Sequence, residues 1–385
     1  MNCTRRDFLI GGAASVFLTG INLPSRAMAK EKKNLIIISL RGGMDGLTAV
    51  PVIGDKNLIK LRKKLIVEGT HKLNSDFALH PKLNTFYELW KNNQAAFVHA
   101  TSIPYTGRSH FDGQNLMESG GKVPYQEKTG WLGRGMKAAN YVGEGLALAL
   151  PMPLLLRGVP LNDNYYPAKG SLPSNTVLES LSSVYKESGE KNLQMVMDII
   201  QKRPLSMMTS GRAGRNHRSL AKETAKLLRV EDGPSIAVFD LDGFDTHAGQ
   251  CGDDGLHGDR LEEIDDIVEE LKDNLGDSFD NTLILTLTEF GRTVKQNGGN
   301  GTDHGWGSAI LMAGGLLKSA QVHTDWPGLK KSNLFEGRDL LSTLDARAVY
   351  LSAMAVCFNV EPELLRREVF WEDNLSDLTA SLFKI

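Results

Sequence analysis

Short apolar runs, separated by longer amphipathic segments, constrain what this chain can fold into. Asn34–Leu40 reads NLIIISL and is apolar almost throughout, without alternation, which is typical of a strand buried on both faces. Similar runs recur at residues 95–100, Ile236–Leu241, 282–287 and 309–313. We predict that these five runs are the core strands of one sheet.

Helical patterns lie between those runs. Apolar residues at three- and four-residue steps predict helices over about 81–92, Leu256–Leu275 and 344–358. Strands that alternate with helices predict an α/β fold of three layers, with a doubly wound, mostly parallel sheet in the middle. Residues 30–385 are predicted to form a single domain. Within it, about 160–229 lack strand patterns and are predicted to form a helical cap.

The first 29 residues have the pattern of a twin-arginine export signal. Arg5 and Arg6 precede an apolar run over residues 10–18, and residues 27–29 read Ala-Met-Ala, a small-residue cleavage site. We therefore expect export by the twin-arginine machinery to the periplasm or beyond. Because this route carries folded proteins, often with a cofactor already bound, a metal or cofactor site is expected in the rest of the chain.

Charge and hydropathy exclude several kinds of partner. The formal net charge of the 385 residues is −2, so the sequence shows neither the basic excess typical of nucleic-acid binding nor a polybasic membrane surface. After the signal, the apolar runs are too short to span a bilayer, and we expect no stable membrane anchor. The sequence leaves the oligomeric state open.

Polar motifs follow the predicted strands directly. In parallel sheets ligands bind at the carboxyl ends of the strands, so side chains in these motifs are expected to converge on one edge. Six of them are candidate metal ligands: Asp45, Asp245, His247, Glu289, Asp303 and His304. Mixed carboxylate and imidazole ligation suits one or two divalent ions, namely zinc, manganese or calcium. The alternatives are that Asp45 is only a turn residue, that Asp245 and His247 lie in a helix-capping loop, and that Asp303 and His304 lie in a solvated loop.

Three further residues are candidates for catalysis on an anionic substrate. Ser109 is placed to begin a helix, where backbone N–H groups favour an attacking oxygen and an anion. Arg108 and Arg292 are expected to bind phosphate or sulfate oxygens. Ser109 is alternatively a helix N-cap, and Arg292 a structural partner of Glu289. A Ser-His-Asp triad is disfavoured because the chain has no G-x-S-x-G elbow.

The other histidines carry no pattern of metal ligation. Two of them, His80 and His99, are predicted to be partly buried structural groups. The remaining four are predicted to lie at the surface: His71, His217, His257 and His323.

Seven motifs, in this order, resemble the exported family called domain of unknown function 1501. They are Arg41-Gly42-Gly43-Met44-Asp45-Gly46, Leu79-His80-Pro81, Arg108-Ser109-His110-Phe111-Asp112, Gly130-Trp131-Leu132, Gly243-Phe244-Asp245-Thr246-His247, Glu289-Phe290-Gly291-Arg292 and Gly301-Thr302-Asp303-His304-Gly305. That family is in turn remotely similar to the alkaline phosphatase and sulfatase superfamily. The resemblance implies an alkaline phosphatase-like sheet with metal ligands and a nucleophile at the strand ends.

The resemblance also implies roles for individual residues. Asp45 matches the superfamily's first-strand metal aspartate, Asp245 with His247 its aspartate–histidine pair, and His304 its final histidine ligand. Glu289 stands where a strand-end aspartate is usual. Ser109 falls at the nucleophile, with Thr106 as a competitor. Phe290 replaces a second histidine ligand, the gap between Asp245 and His247 is shorter than usual, and the sulfatase cysteine signature is absent.

Three hypotheses of function follow. The leading one is an exported, metal-dependent hydrolase of a phosphate or sulfate ester, with an anionic ester or glycan as substrate. The second is a non-catalytic binding or assembly factor of the cell envelope with a degenerate metal site, which Phe290 favours. The third is a purely structural metal site.

Overall fold

A computed structural model describes residues 32–141, 144–148, 151–159, 162–165, 175–188, 216–252, 254–371 and 373–384. The predicted export signal, at residues 1–29, lies outside these residues, as does most of the predicted cap. The strands within them are β1 (Asn34–Leu40), β2 (His71–Lys72), β3 (Ala78–Leu79), β4 (Ala95–Ser102), β5 (Gly145–Leu148), β6 (Asp163–Tyr165), β7 (Ile236–Leu241), β8 (Thr282–Thr288), β9 (Ser308–Ala313), β10 (Val322–His323) and β11 (Leu344–Asp345).

Helices lie between and after these strands in the described sequence. They are α1 (Gly46–Ala49), α2 (Lys56–Leu61), α3 (Asn84–Lys91), α4 (His110–Ser119), α5 (Trp131–Ala138), α6 (Asn175–Ser188), α7 (His217–Leu228), α8 (Leu256–Leu275), α9 (Ala346–Phe358), α10 (Pro362–Phe370) and α11 (Thr379–Leu382). Short 3₁₀ turns lie at Leu154–Leu156, Gly276–Asn281 and Lys331–Asn333. In the described part of the chain, no helix is both long enough and apolar enough to cross a membrane.

Nine of the described strands form one sheet with β1 near its middle. The order is β10-β4-β9-β8-β1-β7-β5-β6, and β11 also pairs with β4. Strand β9 runs antiparallel to β4 and β8, and the other pairs in this sheet are parallel. The prediction of a mostly parallel α/β sheet is therefore confirmed.

The two faces of β1 explain its unbroken apolar sequence. Ile36 and Ile38 pack into the same cluster as apolar side chains of α1, α3, α7 and α8. Leu35 and Ile37 point to the opposite face, into a cluster with α4, α5, α9 and α10. Successive side chains of a strand alternate between faces, so a strand covered on both sides must be apolar at nearly every position. This arrangement is the predicted three-layer fold.

The predicted strands and helices lie close to their expected bounds. All five predicted strands form, and the longest predicted helix is α8, Leu256–Leu275. The last part of the predicted cap, helix α7, packs on α8 through Leu220 and Ala221. Residues 166–174 and 189–215 of that segment lie outside the described residues.

The buried histidines are only partly those expected. His80 and His99 are fully buried, which is more complete burial than predicted. His257, predicted at the surface, is also fully buried. It lies on the inner side of α8, where its ring meets that of Phe244 edge to face at 5.6 Å. The surface prediction for His257 was wrong because that side of α8 faces the sheet.

Candidate metal centre

Four side chains from two loops and one helix meet at the carboxyl edge of the sheet. Asp245 and His247 lie in the loop after β7, and His304 lies in the loop that enters β9. His110 is the first residue of α4, which follows β4. Strand-end loops converge at this edge because the strands on either side of β9 run in the same direction.

The ring nitrogens and the carboxylate are within a few ångströms of one another. His304 Nε2 lies 3.0 Å from each of three atoms: Nε2 of His110, Nε2 of His247 and Oδ1 of Asp245. His247 Nε2 is also 3.0 Å from Asp245 Oδ1, and His110 Nε2 is 3.4 Å from Asp245 Oδ2. The ligand atoms of His110, Asp245 and His304 are all within 4.8 Å of one another, and His247 adjoins this group.

Each of the three imidazoles is anchored by its other nitrogen. His110 Nδ1 lies 2.9 Å from Glu289 Oε1, His304 Nδ1 2.9 Å from the carbonyl oxygen of Arg108, and His247 Nδ1 3.3 Å from Asp303 Oδ1. All three partners can only accept, so each Nδ1 carries the hydrogen. In its neutral form, each ring then directs an unprotonated Nε2 at the others. Metal-binding histidines are typically held in this way by an acceptor behind the ring.

The converging lone pairs and negative charge of the cluster favour a cation between these groups. Three nitrogen lone pairs and a carboxylate converge, and without a bound cation or proton they repel one another. The hydrogen bond to Glu289 raises the pKa of His110 above its ordinary value, whereas burial lowers that of His304. Burial pushes the pKa of Asp245 up, but the hydrogen bond and charge of Arg292 outweigh it and the pKa lies below the usual range. A neutral His304 beside an ionised Asp245 suits metal ligation.

Glu289, a predicted ligand, lies behind the histidine instead. Its side chain is fully buried and accepts hydrogen bonds from His110 Nδ1, from Gln114 Nε2 at 3.1 Å and from the backbone N–H of Gly42 at 2.9 Å. Burial opposes ionisation of Glu289, yet these hydrogen bonds, first of all that from His110, lower its pKa. Asp303 has the corresponding position behind His247.

Asp45 lies in a buried ion pair. Arg62 contacts both of its carboxylate oxygens, and the hydroxyl of Thr48 and the amide of Gln250 donate to it at 2.8 and 2.6 Å. Burial opposes ionisation, but the charge of Arg62 holds the pKa of Asp45 far below its usual range. Asp45 also caps α1, accepting from the N–H of Leu47. The structure thus places it as a structural anion, combining the predicted turn role with an ion pair.

Both candidate anion-binding arginines are already paired. Arg292 is buried and donates to Asp245 Oδ1 at 2.7 Å and to the backbone carbonyl of Thr302. Arg108 pairs through its guanidinium with Glu336 and Asp339. Its backbone has a left-handed φ of 57°, which is strained for a long side chain, and this turn points the Arg108 carbonyl at His304.

Ser109, the candidate nucleophile, occupies the N-cap position of α4. Its side chain does not cap the helix, and among the described residues its hydroxyl has no hydrogen-bond partner. Its backbone N–H donates to the hydroxyl oxygen of Tyr105 at 3.1 Å. The hydroxyl is therefore free, at the N-terminus of a ten-residue helix whose first side chain is His110.

Sequence reasoning missed His110 as a ligand candidate. His110 follows a predicted strand, as the other candidates do, and this position is the signal in the sequence that could have identified it. Phe290 explains the departure noted in the motif. Its ring packs on those of His110 and His304 at 4.9 and 5.1 Å, so it forms an apolar wall of the cluster.

Fold and site together define an α/β protein with a candidate metal centre of histidine and aspartate at the carboxyl edge of its sheet. The chain belongs to the family described as protein of unknown function (DUF1501), which it matches over residues 32–361. The predicted membership is confirmed. Among curated proteins, none matches the chain in sequence.

Several solved structures resemble this one at a distance. Ps i-CgsB in complex with k-i-k-neocarrahexaose is 10% identical, with a TM-score of 0.44 over 91% of this chain and 76% of that one. Murine ectonucleotide pyrophosphatase/phosphodiesterase 5, inactive and in complex with AMP, is 10% identical, with a TM-score of 0.42 over 91% and 100%. The PsFucS1 sulfatase from Pseudoalteromonas sp. is 14% identical, with a TM-score of 0.39 over 92% and 72%.

Proposed function

We propose that this protein is a metal-dependent hydrolase of a phosphate or sulfate ester. The observation that carries the proposal is the convergence of Nε2 of His110, His247 and His304 on the Asp245 carboxylate, with every Nδ1 committed to an acceptor. Of the ions considered, an imidazole-rich set with one carboxylate favours zinc first, because manganese and calcium prefer oxygen ligands.

The charge distribution supports one ion per chain. A second ion would need further free carboxylates, and Asp45 is neutralised by Arg62. Glu289 and Asp303 each accept from a histidine Nδ1. The proposed ligand set is therefore His110, Asp245, His247 and His304, with Glu289 and Asp303 behind it.

The proposed substrate is an anionic ester bound at the N-terminus of α4. The first N–H groups of a helix favour an anion there, and the free hydroxyl of Ser109 stands at that end. A bound divalent ion lowers the pKa of a coordinated hydroxyl or water and offsets charge on the ester oxygens. We propose Ser109 as the nucleophile, with Thr106 or a water as alternatives. The apolar ring of Phe290 excludes water from one side of the site.

Metal analysis followed by turnover tests the proposal. Plasma mass spectrometry of protein prepared without chelator should find one zinc or manganese ion per chain, and His304→Ala should lose it. The loaded protein should then hydrolyse an aryl phosphate or aryl sulfate. His71→Ala is a matched control because His71 lies on β2, outside the nine-stranded sheet. Absence of bound metal in wild-type protein under every loading condition would contradict the proposal.

One observation favours a second function. Arg108 and Arg292 are both held in ion pairs, so neither guanidinium is free to clamp a substrate anion. This arrangement fits a binding or assembly factor of the cell envelope that retains the metal but not the chemistry. A protein that binds one ion tightly, hydrolyses neither ester and binds an anionic glycan would support this alternative.

We also propose export through the twin-arginine pathway, on the sequence of residues 1–29 alone. Replacing Arg5 and Arg6 together by lysine should leave the full-length chain in the cytoplasm of the producing cell. The wild-type chain should be recovered outside the inner membrane and shortened by about 29 residues, as the cleavage site predicts. Cell fractionation with immunoblotting measures both.

A further inference from the structure

A continuous chain of buried hydrogen bonds lies beside the candidate centre. Gln250 Nε2 donates to Asp45 Oδ2 at 2.6 Å, and the hydroxyl of Thr302 donates to Gln250 Oε1 at 2.6 Å. Arg292 Nε donates to the Thr302 hydroxyl oxygen at 3.2 Å, and Arg292 Nη1 reaches Asp245 Oδ1 at 2.7 Å. The chain thus joins the buried Asp45–Arg62 ion pair to a proposed metal ligand.

The direction of every bond in this chain is determined by its two ends. The Asp45 carboxylate can only accept, so the amide nitrogen of Gln250 must face it and the amide oxygen must face Thr302. The single hydrogen of the Thr302 hydroxyl then goes to Gln250, which leaves its oxygen to accept from Arg292. Reversing the amide of Gln250 would place oxygen against carboxylate at one end and N–H₂ against the hydroxyl hydrogen at the other.

The chain is buried except at the end that reaches the site. Gln250 and Thr302 are 0% exposed and Arg292 is 1% exposed, whereas the Asp245 side chain is 42% exposed. Hydrogen bonds in a low-dielectric interior are stronger and polarise one another. Among the described residues, the carboxylate paired with Arg292 is that of Asp245. The orientation of this exposed loop carboxylate is therefore set from the interior.

We propose that Gln250 is a positioning residue for the metal centre. It holds Thr302 and Arg292 in the orientation that points the Asp245 carboxylate at the histidine nitrogens. This inference rests on the proposed function for its link to metal, but its effect on Arg292 is independent of any ion.

Three variants separate positioning from general stability. Gln250→Met and Thr302→Val each interrupt the chain between Asp45 and Arg292 with side chains of similar size. Thr48→Val is the matched control, because Thr48 is equally buried and donates to the same Asp45 oxygen at 2.8 Å. Its hydroxyl also accepts from Gln250 Nε2 at 3.2 Å, but in this variant Gln250 keeps its shorter bond to Asp45 and its bond to Thr302. The Tm of all three variants is measured, so that the stability lost with a buried hydrogen bond in each test variant can be compared with that lost in the control.

The first readout is metal affinity, by competition of zinc with a chelator. Losing the partner behind a ligand typically weakens metal binding by about 10- to 100-fold. We expect a loss of about tenfold, the lower end of that range, in Gln250→Met and Thr302→Val, because Arg292 itself remains beside Asp245. In Thr48→Val the ligand support stays intact, and a change of less than about threefold is expected. Equal affinities in all three variants, with wild-type protein binding zinc, would overturn the inference while leaving the proposed function standing.

The second readout needs no metal. In ¹⁵N-arginine-labelled protein, the Nε–H signal of Arg292, assigned by its loss in Arg292→Lys, should exchange slowly with solvent because the group is buried and hydrogen-bonded. Gln250→Met and Thr302→Val should accelerate that exchange at least tenfold and Thr48→Val should not. Unchanged exchange in Gln250→Met would overturn the positioning role, whether or not wild-type protein binds zinc. Absence of zinc binding in wild-type protein would by itself contradict only the proposed function.

Discussion

The Nε2 atoms of His110 and His304 lie 3.0 Å apart, and each ring donates its other N–H to a fixed acceptor. Two neutral imidazoles in these tautomers present lone pairs to each other at a hydrogen-bond distance with no hydrogen between them. Phe290 packs on both rings and keeps them in place. A cation shared by the two nitrogens would make this contact favourable.

Replacing His304 by alanine should abolish tight metal binding. His304 Nε2 is the atom common to the contacts with His110, His247 and Asp245, so its loss leaves the remaining ligands without a centre. We expect zinc affinity to fall by about 100-fold or more, since removing a ligand should cost at least as much as removing the partner behind one. Isothermal titration calorimetry measures it, and retention of full affinity would exclude His304 as a ligand.

Glu289→Gln should weaken metal binding without unfolding the protein. The substitution keeps an oxygen acceptor for His110 but removes the buried charge that raises the basicity of the ring. An effect of about 10-fold on zinc affinity is expected for such a partner. Glu289→Ala should in addition lower Tm, because it leaves the N–H groups of Gly42 and Gln114 without their acceptor. A larger loss of affinity in Glu289→Gln than in His304→Ala would instead indicate direct ligation by Glu289.

Arg62→Met should damage stability more than the metal centre. Removing one partner of a buried ion pair leaves an uncompensated charge and typically costs about 3 to 5 kcal/mol in the free energy of unfolding. Asp45 and Arg62 are both about 1% exposed, so the full penalty is expected. Denaturant titration measures this loss, and metal analysis should still find the wild-type stoichiometry. A variant that loses its metal while keeping its stability would contradict the structural role of this pair.

Ser109→Ala should lower kcat for the aryl ester rather than metal content. If the hydroxyl attacks the ester, its removal is expected to lower kcat by about 100-fold or more, because the covalent step loses its nucleophile. Thr106→Ala, in which the exposed neighbouring hydroxyl is removed, is the control and should stay within about twofold, because Thr106 would then have no covalent role. Turnover at the wild-type rate in both variants would favour a water as the nucleophile.

His99 should make the protein less stable in acid. Burial lowers the pKa of His99 from 6.5 to about 4, and its ring is held neutral, with Nε2–H donating to the carbonyl of Val50 and Nδ1 accepting from the N–H of Ala100. Because the unfolded chain binds this proton first, the free energy of unfolding should be highest above pH 6.5 and fall as the pH drops towards 4. A shift of this size corresponds to at most about 3 kcal/mol.

The comparison of wild-type protein with His99→Gln isolates that contribution. Burial raises the pKa of Asp265 to about 6, so Asp265 stabilises the fold at low pH and loses this contribution as the pH rises through 6. Burial lowers the pKa of His257 to about 4, and it acts in the same direction as His99. Urea titrations at pH 7 and 4.5 should therefore show a smaller loss in His99→Gln than in wild-type protein. Equal losses would show that His99 does not titrate in this window.

The sequence by itself determined the strands, the order of layers and the edge that carries the candidate centre. This was possible because burial on both faces requires an apolar residue at nearly every position of a strand, as in Asn34–Leu40. Loops after parallel strands also share one edge whatever their contents. The positions of Asp245, His247 and His304 follow from that rule.

Only the tertiary structure decided which polar groups at that edge face one another. Asp45 has the same position after a strand as the other candidates, but Arg62, which is 17 residues along the chain, packs against it and satisfies its charge. His110 became a candidate ligand because the turn at Arg108 aims the start of α4 at His304. Such choices depend on side-chain directions and on competing partners from distant segments, and the local residue pattern does not encode these.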